Sequence, residues 1–161
     1  MAARSLVAPQ KKAKRLRATI VFADESGLMM SPLRKRGWAK RGAAPVLRWV
    51  GRCYRKISAM AGMAMTPNGR RVRLFFRLLP NRNFGGDECA AFLEQLKQNV
   101  KGRIILVWDR LQAHKGRSVT RFLNCNRRVE TVLLPGYAPE LNPVEYVWSW
   151  LKYHALSNFV P

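Results

Sequence analysis

Acidic residues are scarce. Nine Asp and Glu stand against thirty Lys and Arg in 161 residues, a formal net charge of +21. A folded chain so unbalanced repels itself unless a polyanion offsets the charge, so nucleic acid is the first partner to consider. Cysteine is sparse as well. Cys53, Cys89 and Cys125 form no CxxC pair, which supports neither a disulfide framework nor a zinc site and fits reduced thiols in a cytosol. No apolar run approaches membrane-spanning length, and the basic opening MAARSLVAPQKKAKR lacks the apolar segment of an export signal. A cytoplasmic protein with no membrane partner is expected. Hydrophobic residues still make up 48% of the chain, which argues against intrinsic disorder, and the length fits one domain with a real core.

The basic residues gather at Lys11–Arg17, Arg34–Arg41, Arg48–Lys56 and Gly69–Arg77. One such cluster is ordinarily a solvated face, but four with so few acids suggest strips of a nucleic-acid-binding surface. Within the second cluster Arg34, Lys35, Arg36, Lys40 and Arg41 surround Trp38, and this interleaving marks them as candidate DNA contacts.

Residues 1–17 read as a mobile basic lead-in, with the folded domain at 18–161. ATIVFAD, residues 18–24, is a short β-branched run closed by polar residues and Gly27, a buried strand ending at Asp24. Segments 56–65 and 71–80 flank TPNG, whose Asn-Gly pair signals a hairpin. Residues 86–102 carry a helical stripe at Ala90, Leu93, Leu96 and Val100, with Asp87 placed to cap its start and Gly102 its end. A second buried strand, 103–109, ends in Asp109. A helix from Gly116 to Asn126, a third core strand at 129–135 and a last helix at 142–156 complete an α/β arrangement, a mixed β-sheet flanked by helices. Trp108, Trp148 and Trp150 fall at strand or helix positions where core packing is the default, and Met60, Met63 and Met65 read as core filler.

Three carboxylates stand at structural ends. Each has an ordinary explanation: an Asp closing a strand begins a turn, and Asn142, Pro143 and Glu145 sit at the N-cap, N1 and N3 positions of the last helix. Their combination points further. If the first strand and the strand ending at Asp109 are neighbours, Asp24 and Asp109 approach, and the last helix can bring Glu145 over them. Three carboxylates so placed repel unless protonated or bound to cations, and hard oxygen ligands suit Mg²⁺ or Mn²⁺. Two such ions can clamp the attacking and leaving oxygens of a phosphodiester displacement.

VFADESG (21–27), ILVWDRLQAH (105–114) and LPGYAPELNPVEYVW (134–148) resemble the catalytic domain of bacterial insertion-sequence transposases of the mariner-like superfamily, and 35 residues separate Asp109 from Glu145, as in that group. The similarity runs from about Ala18 to the C-terminus. It implies a ribonuclease-H-like fold in which Asp24, Asp109 and Glu145 bind two Mg²⁺ or Mn²⁺ ions, cut DNA with water and then join a DNA 3′-hydroxyl to a target. It also implies transposon-end and target DNA as partners, TA targets and a homodimer on DNA. Glu25, on the opposite side of the strand, is expected to support the site from behind, as are His114 and Asn142. His114 is expected chiefly as a packed, turn-stabilising ring. Tyr137 is a candidate for base stacking, and Glu140 is expected in solvent. Nothing here resembles the helix-turn-helix region of such transposases, residues 1–17 being too short for one. The alternatives are a non-catalytic DNA-binding remnant and a nuclease acting on RNA in hybrids.

Overall fold

The computed structural model describes residues 3–29, 33–43, 46, 55–136 and 138–158. Helix α1 (Ala3–Leu16) leads into strand β1 (Thr19–Met29), then the hairpin β2 (Lys56–Met65) and β3 (Val72–Pro80), helix α2 (Gly86–Asn99), strand β4 (Ile104–Trp108), helix α3 (Arg117–Cys125), strand β5 (Val129–Leu133) and helix α4 (Val144–Trp150). Short 3₁₀ turns cover Gln112–Lys115 and Pro139–Leu141, and a π-helical turn, Leu151–Ala155, continues α4. The sheet order is β3-β2-β1-β4-β5. β1 pairs antiparallel with β2 and parallel with β4, and β4 parallel with β5. The condition for Asp24 and Asp109 to approach is therefore met, since β1 and β4 are adjacent.

Strand periodicity splits the core in two. Val21, Ala23, Ile104, Leu106 and Trp108 point to the face covered by α2 and α3, where Cys89, Phe92, Leu93, Leu96, Val119 and Phe122 meet them. Ile20, Phe22, Ile105 and Val107 point to the other face, under Ala13 of α1 and Val144 and Trp148 of α4. Gly69, at φ +69°, makes the hairpin turn that the Asn-Gly pair announces.

Several boundaries differ from expectation for identifiable reasons. The lead-in is helical: α1 packs Ala13 on the sheet, and the Ala18 N–H donates to the Ala13 carbonyl at 2.9 Å. β1 does not stop at Asp24. Its pairing with β4 ends at Phe22 and Val107, but β2 carries it on to Met29. Asp87 does not cap α2; Glu88 accepts the Gly85 N–H at 3.0 Å, while Asp87 accepts the Ser118 hydroxyl. β5 is an edge strand with one neighbour, and Leu133 is half exposed rather than in the core. Trp150 points outward and is largely exposed, whereas Trp108 and Trp148 are buried. Met60 is fully buried, and Met63 and Met65 partly so.

Candidate active site

Because β1 leaves β4 after Phe22, the carboxyl ends of the two strands open a crevice, the position where α/β sheets commonly receive ligands. Asp24 and Asp109 each stand two residues beyond the last pair, Phe22 and Val107, so both keep the parity that faces α4. Glu145 lies in the first turn of α4. The three line one cavity of about 420 Å³, with Arg110, Leu134 and Asn142 among its other walls.

Neighbouring groups hold these carboxylates. The Trp148 indole N–H, three residues after Glu145, donates to Asp24 Oδ2 at 2.8 Å. Asp109 Oδ1 accepts the Leu111 N–H at 3.1 Å and meets His114 Nδ1 at 3.0 Å. Asn142 is buried and does more than cap: its Oδ1 accepts the Val144 N–H at 3.2 Å, and its Nδ2 donates to the Ala23 carbonyl at 3.1 Å. That bond ties the start of α4 to β1 beside Asp24.

Electrostatics set Asp24 apart. Burial above all, then the negative charge of Glu145 and more weakly that of Asp109, push its carboxyl up to about 7 against the opposing bonds from Trp148 and the Glu25 backbone. Asp24, Asp109 and Glu145 thus place carboxyl groups whose charges oppose one another around one open cavity, all of them oxygen donors. That donor set fits a hard divalent cation.

Glu25 lies on the far side of β1, as strand alternation requires. Its Oε1 meets His114 Nε2 at 3.2 Å and Cys89 Sγ at 3.5 Å. The His114 ring is stacked on Trp108 at 4.0 Å between centroids, so it is the packed ring expected and also a direct contact of Asp109. Burial alone would lower its pKa, but the bond to Glu25 and the Asp109 contacts outweigh that and raise it.

Arg34, Lys35, Arg36, Trp38, Lys40 and Arg41 are exposed. Their strip is anchored to the C-terminal turn: the Asn158 N–H donates to the Leu33 carbonyl at 2.9 Å, and Lys35 Nζ to the Tyr153 carbonyl at 2.9 Å. Glu140 is exposed as expected. Tyr137, Cys53 and most of the third basic cluster lie outside the described residues. Two contacts gave no clear sign in the sequence. Trp148 looked like core filler although its spacing from Glu145 puts both on one helix side, and nothing around Cys89 pointed to Glu25.

A mixed five-stranded sheet in this order, with helices on both faces and acids at the crevice, defines a ribonuclease-H-like domain. The model of the DDE superfamily endonuclease family matches residues 19–161, and the chain belongs to that family. Among solved structures it resembles a pre-cleavage Mos1 transpososome (TM-score 0.65, 22% identity, 96% of this chain and 48% of that one). It also resembles a Mos1 transposase paired-end complex with the left transposon end (0.64, 23%, 96% and 47%) and the Mos1 transposase catalytic domain with Raltegravir and Mg (0.56, 20%, 98% and 73%). The chain spans about half the length of the first two. No curated protein matches it.

Proposed function

We propose that this chain is the catalytic region of a DNA transposase of the mariner-like superfamily, from a bacterial insertion sequence, acting on DNA in the cytoplasm. The observation that carries the proposal is the convergence of Asp24, Asp109 and Glu145 on one cavity, from two adjacent strands and the helix above them. Family membership and the fold shared with Mos1 structures, some of them containing Mg or Mn, support it.

In this reading Asp24, Asp109 and Glu145 hold two Mg²⁺ or Mn²⁺ ions. When bound, the ions supply Lewis-acid activation of the attacking oxygen and neutralise charge on the phosphate. The chain's own residues set the geometry. Trp148 holds the Asp24 carboxylate, Leu111 and His114 hold that of Asp109, and Asn142 fixes the helix that delivers Glu145. In cleavage a water oxygen bonds to phosphorus as the bond to the DNA 3′-oxygen breaks. In strand transfer the freed 3′-hydroxyl oxygen bonds to a target phosphorus as that phosphorus loses its bond to the target strand's own 3′-oxygen, which leaves as a hydroxyl, and no covalent protein intermediate is required. Arg34, Lys35, Arg36, Lys40 and Arg41 would neutralise backbone phosphates, with Trp38 against a base or sugar. A homodimer would pair two transposon ends.

Plasmid nicking with Mn²⁺, comparing the parent with Asp109→Asn after both are confirmed folded and DNA-binding, tests this. Nicking by the parent alone is expected. Equal nicking by the variant would remove Asp109 from the reaction and with it the proposed site.

A further inference from the structure

We propose that Glu25, Cys89 and His114 form a separate cation site, on the opposite face of the sheet from the acidic cavity, that takes a divalent ion of the zinc type. The three side chains come from β1, α2 and the 3₁₀ turn after β4, and each offers one ligand atom, all within 4.8 Å of one another. Their separations can be compared with those a tetrahedral ion needs. With bonds of about 2.3 Å to sulfur and about 2.0–2.1 Å to nitrogen and oxygen, the tetrahedron has S···O edges of about 3.6 Å and N···O edges of about 3.3 Å. Cys89 Sγ to Glu25 Oε1 is 3.5 Å and His114 Nε2 to Glu25 Oε1 is 3.2 Å. Two edges therefore already have the right length.

The surroundings of His114 fit as well. Its Nδ1 faces the Asp109 carbonyl at 3.3 Å and Asp109 Oδ1 at 3.0 Å, both acceptors, so the proton belongs on Nδ1 and Nε2 is the ligand atom. A zinc-bound His usually donates its other N–H to such oxygens. Stacking on Trp108 fixes the ring plane. Gly116, directly after the turn, is packed so closely on Gly86 that a Cβ there would lie 2.9 Å from the Gly86 Cα, which seats the turn against the start of α2.

The charges also match. A divalent ion held by the Glu25 carboxylate, the neutral His114 ring through Nε2 and the Cys89 thiolate, whose proton passes to solvent, makes a site of zero net charge. Glu25 also lines a cavity of about 390 Å³, with Ser58, Asn83, Phe84, Leu111 and Ala113 among its other walls, so the site is reached from its carboxylate side, while Cys89 and His114 lie buried behind it. Thiolate and imidazole ligands select zinc-like ions over Mg²⁺, so this site would be chemically distinct from the carboxylate cluster.

The test is a Co²⁺ titration of metal-free Cys53→Ser/Cys125→Ser protein, in which Cys89 is the single thiol. One equivalent should develop a thiolate-to-cobalt charge-transfer absorption, survive excess Mg²⁺ and be displaced by Zn²⁺. Glu25→Gln, checked for folding by circular dichroism, should weaken Co²⁺ binding by at least about tenfold. The parent compared with Cys89→Ser gives the same readout without the background substitutions, as the loss of one equivalent of the absorption. No charge-transfer absorption at one equivalent, or unchanged affinity in Glu25→Gln, would overturn the proposal.

Discussion

Replacing Asp24 with Asn should make the metal-free protein more stable at neutral pH. The Asp24 carboxyl rises from an ordinary 3.8 to about 7 on folding. Its folded value lies above its unfolded one, so the native state holds the proton more tightly than the unfolded chain does. The stability this lends is fully present below about pH 3.8 and is lost as pH rises through about 7. Three pKa units correspond to about 4 kcal/mol at pH 8, an upper bound because the cavity mouth admits water. Asn has nearly the same shape, carries no charge and can still accept the Trp148 N–H. Even a quarter of the bound is about 1 kcal/mol, or roughly 2–4 °C in a domain of this size. The assay is thermal unfolding in chelator at pH 8 and pH 4. Asp24→Asn should melt higher at pH 8 with little gain at pH 4, and added Mg²⁺ should stabilise the parent more than the variant. An equal or lower melting temperature at pH 8, or a gain as large at pH 4, would refute the reasoning.

Other substitutions probe the supports. Trp148→Phe removes the indole donor from Asp24 and should cost about 1–3 kcal/mol, read by denaturant unfolding, and reduce metal-dependent nicking. Asn142→Ala removes the bonds to Val144 and Ala23 together and should cost a similar amount, leaving the buried Ala23 carbonyl without that donor. Gly116→Ala must separate the two chain segments that touch there, which should lower stability by about 1–3 kcal/mol in the same assay. Neutralising Arg34, Arg36, Lys40 and Arg41 should flatten the log-log salt dependence of DNA binding, by up to about 0.9 for each phosphate that these side chains neutralise in the parent.

The order of the strands and of the helices after them was legible because buried strands and an amphipathic helix write their periodicity into the chain, whereas the adjacency of β1 and β4 entered only as a condition, which their parallel pairing meets. Boundaries were less so. Ser26 and Gly27 look like a stop, yet β2 supplies partners that no local signal announces, and β1 runs on to Met29. The basic residues of α1 hide a helix that meets the sheet through Ala13 and Leu16. At the site, the carboxylates stood out because acids are rare in this chain. Their supports did not, since the bond from Trp148 to Asp24 spans 124 positions and that from Asn142 to Ala23 spans 119. The 64-position separation of Glu25 and Cys89 hid their contact in the same way.

Counting Mn²⁺ ions by electron paramagnetic resonance on the folded parent, Asp109→Asn and Glu145→Gln chains addresses most directly whether Asp24, Asp109 and Glu145 form a metal site. Two ions are expected on the parent, with each variant losing at least one or weakening by at least tenfold, on the order of 1.4 kcal/mol. Equal stoichiometry and affinity in all three chains would contradict it.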